Sequence, residues 1–261
     1  MNTGSRGRLC IVGIGPGDPD LMTLKARTVI ESSDTIVGYT KYIDLIGDII
    51  KGKKVVSTGM THEIQRCILA IEDALKGNTV SLVCSGDPGI YAMAGLVFEI
   101  MKEGYSDALS GMDISIVPGV TALTASAALL GAPLMHDFAT ISLSDRLTPW
   151  ALIEKRLYAA SEADFVIALY NPRSRGRRDH LRRAVEIVLE FRSPSTPAGV
   201  VRAASRENEE VIITRIDSIP YDLVDMESTV IIGNSETFVW DRFVITPRGY
   251  NKKYSRFDGN K

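Results

Sequence analysis

The chain has 261 residues, of which 45% are hydrophobic and 24% are charged, and this composition is typical of a folded globular protein. The formal net charge of -2 provides no overall attraction to nucleic acid or to an anionic membrane. We therefore expect neither as a partner. A chain of this length exceeds the usual size of one domain, which predicts two compact α/β units.

The sequence carries no recognisable targeting segment or cysteine-based site. Residues 1–7 lack the apolar stretch of a secretory signal, and no apolar run approaches the roughly 20 residues that span a bilayer. We therefore expect a cytoplasmic protein. Cys10, Cys67 and Cys84 fall within predicted apolar strands or helix faces, which is typical of buried free thiols. They form neither a disulfide framework nor a metal site, so no protein-bound metal is expected.

In chain order, continuous apolar runs alternate with amphipathic patterns. The runs that predict strands lie at Leu9–Gly15, Val80–Cys84, Ile114–Val117, Phe165–Leu169, Ala198–Val201 and Thr229–Gly233. Two helical faces carry Ile64, Cys67, Ile68, Ile71 and Leu75 in the first case and Leu181, Ala184, Val185, Val188 and Leu189 in the second. Apolar strands between helices predict a mainly parallel sheet that is covered on both faces. Short strand patterns near the end predict a mixed sheet in the second half.

The best domain boundary follows the third predicted strand. That strand ends in a Pro-Gly turn formed by Val117, Pro118, Gly119 and Val120, and a helix of small residues is predicted over Thr121–Leu130. We therefore divide the chain into an N-terminal α/β domain, residues 1–118, and a C-terminal α/β domain, residues 119–261.

The first of three glycine-containing turns runs from Gly13 to Pro19. It superficially resembles the dinucleotide-binding pattern GxGxxG, but Asp18 stands in place of the last glycine and Pro16 removes a backbone N–H. A nucleotide site of that type is therefore disfavoured. A plain strand-to-helix turn is the alternative interpretation.

The second and third turns also follow predicted strands. The second contains Gly86, which allows a ligand to approach the backbone, and Asp87, which is expected either to accept hydrogen bonds from a ribose or to cap the following helix. The third turn is Val117–Ala122. All three turns would meet at the carboxyl edge of one parallel sheet, where open α/β sheets bind ligands.

Five motifs indicate a family resemblance that covers nearly the whole chain. In order, they are GIGPGDPDLMTLKA, SGDPGIY, VPGVTA, ALYNP and ITPRGY. They resemble those of the tetrapyrrole (corrin and porphyrin) methyltransferases. The combination of SGDPGIYAMAG, GAPLMHDFATISLSDRLTPW, ALYNPRSRGR and TPRGY is most similar to the subfamily that methylates carbon 17 of precorrin-3B or cobalt-precorrin-3.

The resemblance implies two α/β domains with S-adenosylmethionine in a cleft between them, S-adenosylhomocysteine as a product, and usually a homodimer. In the first part of the chain, the implied cofactor contacts are Pro16, Ser85, Gly86, Asp87, Ile90, Thr121 and Ala122. In the second part, the matching segments contain Tyr170, Asn171, Arg202 and Thr246. Asn171 stands where some relatives have methionine, so the resemblance does not define which part of the cofactor Asn171 contacts.

A cluster of arginines is the strongest local charge feature. It consists of Arg173, Arg175, Arg177, Arg178, Arg182 and Arg183. Guanidinium groups bind carboxylates in a forked geometry, and corrin precursors carry many carboxylates. Arg173 and Arg175 precede the predicted helix and are therefore our predicted substrate contacts. A solvated helix face with ordinary ion pairs is the alternative for the cluster.

His136 is the predicted acid or base for ring contraction. It lies in the segment GAPLMHDF, between a helix and a predicted strand, and a histidine changes its charge near neutral pH. A hydrogen-bonded structural histidine is the alternative. His62 and His180 are expected to be ordinary surface residues.

The resemblance, taken with these residues, predicts transfer of a methyl group from S-adenosylmethionine to carbon 17 of a tetrapyrrole, coupled to ring contraction, in cobalamin biosynthesis. No nucleophile motif is needed, because alignment with an activated methyl group lowers the barrier by roughly 7–11 kcal/mol. The alternatives are methylation at another tetrapyrrole position, of RNA or of protein, and a non-catalytic S-adenosylmethionine-binding protein. Whether the substrate already contains cobalt stays open at this point.

Overall fold

The computed structural model describes residues 6–174 and 176–253. The chain divides into two compact units, Met1–Ala122 and Leu123–Lys261. The sequence-based boundary, between Pro118 and Gly119, lies slightly earlier, directly after the last strand of the first unit. Each unit contains a β-sheet with helices packed on it, which agrees with the predicted α/β class.

The first unit is built on a parallel five-stranded sheet. Its strands are β1 (Gly7–Gly13), β2 (Thr35–Tyr39), β3 (Lys54–Thr58), β4 (Thr79–Cys84) and β5 (Met112–Val117). They are ordered β3-β2-β4-β1-β5, and each neighbouring pair is parallel. The carboxyl ends of all five strands therefore lie at one edge of the sheet.

Helices cover both faces of this sheet. They are α1 (Leu24–Ser32), α2 (Thr40–Asp44), α3 (Glu63–Leu75), α4 (Met93–Gly104) and α5 (Ala108–Gly111), with a 3-10 helix at Pro19–Leu21. Leu9 and Ile11 of β1 pack with α3 and α4, whereas Cys10 and Val12 pack with α1 and α2. The strand is continuously apolar because both of its faces are buried.

Helix α3 buries only part of the predicted face. Cys67 and Ile71 are fully buried, as predicted. Ile64 and Leu75 are 60% and 39% exposed, whereas the buried residues also include Arg66, Ala70 and Ala74. Small side chains let a helix backbone approach a close-packed sheet, so alanines line this contact beside Ile71. The prediction was therefore wrong at Ile64 and Leu75, and an arginine lies on the buried side.

The second unit contains a mixed five-stranded sheet and a smaller three-stranded sheet. Its strands are β6 (Gly131–Ala132), β7 (Phe138–Ser142), β8 (Val166–Tyr170), β9 (Pro197–Arg202), β10 (Glu210–Arg215), β11 (Ser228–Ile232), β12 (Phe238–Trp240) and β13 (Phe243–Ile245). The sheet orders are β10-β9-β11-β8-β7 and β12-β13-β6. In the larger sheet only β7 and β8 pair in parallel, which confirms the predicted mixed sheet.

The helices of the second unit pack mainly on the larger sheet. They are α6 (Ala122–Leu130), which begins at the division between the units, α7 (Trp150–Glu162), α8 (His180–Leu189) and α9 (Tyr250–Lys253), with 3-10 helices at Ile216–Ser218 and Tyr221–Leu223. Ile153 and Leu157 of α7 and Leu181 and Val185 of α8 join one buried core with the strands. The predicted apolar face of α8 is therefore confirmed at Leu181 and Val185.

The predicted strand bounds omitted β2, β3, β7 and β10, although a strand was expected after His136, where β7 lies. Three of these strands, β3, β7 and β10, lie at sheet edges, where polar and charged residues are tolerated. Lys54 opens β3 and Glu210 opens β10. The central strand β2 is short, and Gly38 interrupts its apolar run. The signal of a long apolar run is therefore absent from all four.

All three cysteines are buried free thiols, as predicted, with Cys10 in β1, Cys67 in α3 and Cys84 in β4. Burial raises the pKa of the Cys67 and Cys84 thiols to about 12, so neither is a thiolate at neutral pH. Within residues 6–174 and 176–253, no group of His, Cys, Asp and Glu side chains is arranged to hold a metal ion. No helix in the described part of the chain has the length and apolar character needed to cross a membrane.

Candidate active site

Backbone hydrogen bonds join the turns that follow β1 and β4. Gly15 N donates to Gly86 O at 3.3 Å, and Gly86 N donates to Gly15 O at 2.7 Å. Both glycines have positive φ angles, +78° and +68°, in a region that other residues rarely adopt. These glycines therefore allow the two turns to pair at the carboxyl edge of the sheet.

Two further glycines bring in the turn that follows β5. A Cβ atom on Gly119 would lie 2.2 Å from Gly86 O, and one on Gly13 would lie 2.5 Å from the same oxygen. Atoms cannot approach each other this closely, so a side chain at Gly119 or Gly13 would force the backbone to move. The turns after β1, β4 and β5 are thus in backbone contact at one edge, as the strand order of a parallel sheet requires.

Asp87 ties two of these turns together. Its Oδ1 accepts a hydrogen bond from Gly89 N at 2.8 Å, and its Oδ2 accepts one from Gly119 N at 3.0 Å. Helix α4 begins only at Met93, and its N-cap residue, Ala92, makes no side-chain capping bond. The helix-cap interpretation of Asp87 was therefore wrong. A carboxylate has about four acceptor positions, so further positions stay available for a ligand.

The other predicted cofactor residues of the first unit lie on the same three turns. Pro16 is buried, Ser85 and Thr121 are half-buried, and Ile90 is exposed. A Cβ atom on Gly86 would lie 3.7 Å from Ala122 N, so the second and third turns are adjacent there. The first unit thus brings to one sheet edge Pro16, Ser85, Gly86, Asp87, Ile90, Thr121 and Ala122.

Three strands of the second unit also end at a common edge. β7 is parallel to β8, while β8 and β9 both run antiparallel to β11 and hence parallel to each other. Their last residues are Ser142, Tyr170 and Arg202. The Tyr170 hydroxyl accepts a hydrogen bond from Leu123 N at 2.9 Å. Tyr170 therefore satisfies one of the backbone donors that the first turn of α6 leaves unpaired.

Left-handed backbone follows two of these strand ends. Asn171, after β8, has a φ angle of +52°, and Ala203, after β9, has one of +48°. Such strain costs about 1–3 kcal/mol per residue and is concentrated at functional sites. The Asn171 side chain donates to Ser142 Oγ at 2.9 Å and thereby joins the ends of β7 and β8. This edge is therefore the candidate functional region of the second unit.

The side chains of Arg202 and Thr246 are engaged inside the second unit. Arg202 Nε donates to Glu210 Oε2 at 3.3 Å, and its Nη1 lies 3.8 Å from Asp225 Oδ2. Thr246 is fully buried, and its hydroxyl lies 2.8 Å from that of Thr237. A ligand at Arg202 would compete with two carboxylates, and Thr246 presents no exposed side-chain atom. The cofactor contacts of these two residues stay predictions.

Arg173 directs its guanidinium group onto the protein. Its Nη1 donates to the carbonyl oxygen of Tyr221 and lies 3.6 Å from Asp222 Oδ1. Because the Asp222 side chain is fully exposed, this ion pair is weak and can give way to a substrate carboxylate. Arg175 lies outside the described residues. The substrate contacts predicted for these two arginines stay predictions.

Two other arginines of the cluster have ordinary surface partners. Arg182 lies over the Tyr221 ring, with its Cζ 4.4 Å from the ring centre, and Arg183 pairs with Glu154 at 2.9 Å. Both arginine side chains are exposed on α8. The alternative of a solvated helix face therefore describes Arg182 and Arg183.

A polar network that sequence reading missed links the segment after β7 to the segment after β8. Arg177 donates to the Ser144 hydroxyl, and His180 Nε2 lies 3.0 Å from Asp145 Oδ2. The His180 side chain is only 14% exposed and packs edge-on against Trp150. Its hydrogen bond lowers the pKa of Asp145. The expectation that His180 is an ordinary surface residue was therefore wrong, and no local pattern connects these distant residues.

His136 lies in the exposed segment between β6 and β7. Asp137 N donates a hydrogen bond to His136 Nδ1 at 2.8 Å, and Asp137 Oδ2 lies 3.5 Å from the same nitrogen. Because Nδ1 is an acceptor, the neutral ring holds its proton on Nε2. The geometry is therefore that of a solvent-accessible histidine with one defined tautomer, and its catalytic role stays a prediction.

A comparison with known protein families shows which family this sequence matches. Residues 8–220, more than half of the chain, match the family described as Tetrapyrrole (Corrin/Porphyrin) Methylases. The chain belongs to this family. It is therefore a methyltransferase, which confirms the enzyme class and the family that the motifs predict.

Individual relatives of this methyltransferase are similar over most of its length. It is 50% identical to the probable cobalt-factor III C(17)-methyltransferase of Salmonella typhimurium, over 93% of this chain and 99% of that protein. It is 46% identical to the cobalt-factor III methyltransferase of Priestia megaterium over 96% of this chain, but it spans only 46% of that protein. The crystal structure of the methyltransferase CobJ matches with a TM-score of 0.87 and 36% identity, over 92% of this chain and 100% of that chain. The two-domain α/β fold is thereby confirmed.

Proposed function

We propose that this methyltransferase transfers the methyl group of S-adenosylmethionine to carbon 17 of a cobalt-containing tetrapyrrole of the cobalt-factor III or cobalt-precorrin-3 type. The transfer is coupled to contraction of the ring, as a step of cobalamin biosynthesis. The observation that carries this proposal is the 50% identity to a relative named for C(17) methylation, over nearly all of both chains. Cobalt-containing substrate is favoured over metal-free precorrin-3B because both of the relatives compared above are named for cobalt-factor III.

The residues at the edge of the first unit fit S-adenosylmethionine chemically. Asp87 keeps acceptor positions suited to ribose hydroxyls, and Ser85 and Thr121 carry hydroxyl groups that suit the polar parts of the cofactor. Gly86 allows a ligand close to the backbone. When bound, the cofactor supplies an activated sulfonium methyl group. The residues proposed to hold it are Pro16, Ser85, Gly86, Asp87, Ile90, Thr121 and Ala122, with Tyr170, Asn171, Arg202 and Thr246 from the second unit.

We propose that the protein catalyses the transfer mainly by positioning. The bonds between Gly15 and Gly86 and between Asp87 and Gly119 hold the three turns in one arrangement before a ligand arrives. Such alignment contributes roughly 7–11 kcal/mol to lowering a barrier. His136, which holds a proton on Nε2 in its neutral form, is the proposed acid or base for ring contraction.

Arg173 and Arg175 are proposed to bind carboxylates of the tetrapyrrole. The support is the weak ion pair between the half-buried guanidinium of Arg173 and the fully exposed Asp222, together with the forked geometry in which arginine binds carboxylates. The family resemblance further supports a cytoplasmic homodimer that acts on a small molecule, with neither nucleic acid nor membrane as a partner. Analytical ultracentrifugation tests the dimer, and sedimentation as a monomer at micromolar concentration would reject it.

Methyl transfer with isotopic label tests the proposed reaction. The purified protein is incubated with methyl-labelled S-adenosylmethionine and with either the cobalt-containing or the metal-free trimethylated precursor. We expect S-adenosylhomocysteine, label at carbon 17 and a contracted ring, with faster turnover of the cobalt-containing substrate. Label at carbon 11 or carbon 1, or an uncontracted product, contradicts the proposal. A preference for the metal-free precursor overturns the assignment of cobalt alone.

A further inference from the structure

Arg66 lies on the buried face of α3, and no carboxylate of the described residues pairs with it. It is 4% exposed, and among the described residues its polar contacts are only to a hydroxyl and a carbonyl oxygen. A buried charge without an opposite charge is costly. Arg192, the other buried arginine of the described chain, instead pairs with Asp164 at 3.1 Å. The lack of a described carboxylate beside the buried guanidinium group of Arg66 therefore needs a physical explanation.

The guanidinium group of Arg66 lies at the carboxyl edge of the first sheet. Its Nε donates to Thr58 Oγ1 at 2.7 Å, and its Nη2 donates to Gly59 O at 2.9 Å. Its Cζ lies 5.7 Å from the centre of the Tyr39 ring. Thr58 and Tyr39 are the last residues of β3 and β2. Arg66 is therefore held at the same edge as the glycine turns.

Part of this guanidinium group stays open to a ligand. Within the described part of the chain, Arg66 has no nitrogen that is both buried and unpartnered, and no hydrogen bond is made by its Nη1. Nη1 therefore contributes to the 4% of the residue that is exposed. The exposed hydroxyls of Thr40 and Ser57 lie 2.7 Å apart, and that of Thr40 lies 3.2 Å from the carbonyl oxygen of Thr58, the residue whose hydroxyl accepts from Arg66 Nε. A guanidinium donor that makes no hydrogen bond within the described protein, on a segment that carries hydroxyl groups, suits a carboxylate.

We propose that Arg66 binds a carboxylate of the tetrapyrrole and so helps determine which substrate is methylated. This inference rests on the proposed function. A carboxylate could also come from the methionine part of the cofactor, but the cofactor turns follow β1, β4 and β5, whereas Arg66 lies at the ends of β2 and β3. The ends of β2 and β3 lie one and two strand spacings, about 5 and 10 Å, from that of β4. A macrocycle that carries carboxylates around its rim spans this separation.

Steady-state kinetics and calorimetry of Arg66→Gln test the assignment. We expect the KM for the tetrapyrrole to rise roughly 10- to 100-fold through the loss of a charge-assisted hydrogen bond, while the Kd for S-adenosylhomocysteine stays near that of the wild type. Arg66→Lys keeps the charge but loses the fork, so it should recover only part of the affinity. An unchanged KM overturns the proposal. A weaker Kd for S-adenosylhomocysteine with an unchanged KM assigns the carboxylate to the cofactor and likewise overturns it.

A control variant separates ligand binding from damage to the scaffold. Arg192→Gln removes the other buried arginine of the described chain, which lies in the second unit and pairs with Asp164. We expect it to lower Tm with little change in KM for the tetrapyrrole. A rise in KM as large in Arg192→Gln as in Arg66→Gln would show that general damage to the scaffold is the cause, and would overturn the proposal. If Arg66→Gln does not fold, a wild-type KM for the tetrapyrrole in Arg66→Lys also overturns the proposal.

The wild-type enzyme separates this inference from the function on which it rests. Absence of turnover by the folded wild-type protein rejects the proposed reaction. Wild-type turnover combined with unaltered kinetics of the Arg66 variants rejects only the role of Arg66.

Discussion

The two candidate edges are built in different ways. In the first unit, backbone atoms join the turns directly, as between Gly15 and Gly86, and a Cβ atom on Gly13 or Gly119 would collide with Gly86 O. In the second unit, side chains from separate segments make the connections, as between Asn171 and Ser142 and between His180 and Asp145. The first edge therefore requires glycines, which have no side chain, where its turns meet. The second edge requires side chains that form hydrogen bonds.

This difference predicts how each edge responds to substitution. An added Cβ atom in the first edge must displace the backbone, so a single methyl group should disrupt all three turns together. In the second edge one hydrogen bond can be lost while the others stay in place. We therefore expect large, cooperative effects in the first unit and smaller, graded effects in the second.

Gly119→Ala should have the largest effect. Its Cβ atom would lie 2.2 Å from Gly86 O, and we expect a loss of about 3 kcal/mol in the free energy of unfolding, together with loss of S-adenosylhomocysteine binding. Urea unfolding and calorimetry measure the two effects.

Gly95→Ala is the matched control for this substitution. It lies in α4, where an added Cβ atom meets nothing within 4 Å, so it should raise the free energy of unfolding by about 0.5–1 kcal/mol. Similar free energies of unfolding for Gly119→Ala and Gly95→Ala would mean that the turns can separate without loss of stability.

Asp87→Ala should weaken both cofactor binding and folding. It removes the acceptor for Gly89 N and Gly119 N as well as the proposed ligand contact, and we expect a loss of about 1.5–3 kcal/mol in binding of S-adenosylhomocysteine. Asp34→Ala is the control, because Asp34 also accepts a backbone bond, from Thr79 N, but at the opposite end of β4. It should lower Tm alone. If Asp87→Ala lowers Tm with unchanged affinity, Asp87 has only a structural role.

The double substitution Arg173→Ala and Arg175→Ala should raise the KM for the tetrapyrrole by about tenfold or more, through lost charge-assisted bonds, and spare affinity for the cofactor. The comparison pair is Arg182→Ala with Arg183→Ala, whose side chains have surface partners. That pair should leave the kinetics unchanged. If the two double variants changed KM equally, all arginines of the cluster would be solvated surface charges and none would be a specific substrate contact.

The smallest effect is expected from the His180–Asp145 pair, whose side chains are 14% and 38% exposed. A double-mutant cycle with His180→Phe and Asp145→Asn should give a coupling free energy below about 1 kcal/mol, because solvent screens the pair. The hydrogen bond lowers the pKa of Asp145. Its stabilisation is therefore present above the unfolded pKa of about 3.9 and is lost as the pH falls through the lower folded value. Coupling that persists unchanged in acid beyond that range would contradict this assignment.

The turns of the first edge could be located from the sequence because their signals are local. Gly13 ends the apolar strand β1, Gly15 follows it closely and Gly86 follows β4 closely, and parallel strands place such turns at one edge. The buried face of α3 could be located only in part, at Cys67 and Ile71. Its boundary at Arg66 depends on the oxygens that the end of β3 offers to a guanidinium group, and helical periodicity carries no information about them.

By itself, the sequence determined the α/β class, the long apolar strands and the family, because apolar continuity, glycine spacing and ordered motifs are properties of short segments. Only the tertiary structure decided that Asp87 bonds Gly119 and does not cap α4, that His180 packs against Trp150, and that Arg66 is buried with no carboxylate partner among the described residues. Asp87 and His180 meet partners that are distant in the chain, and Arg66 is buried because α3 packs on the sheet. Such contacts form only when strands pair and helices pack, so no local pattern predicts them.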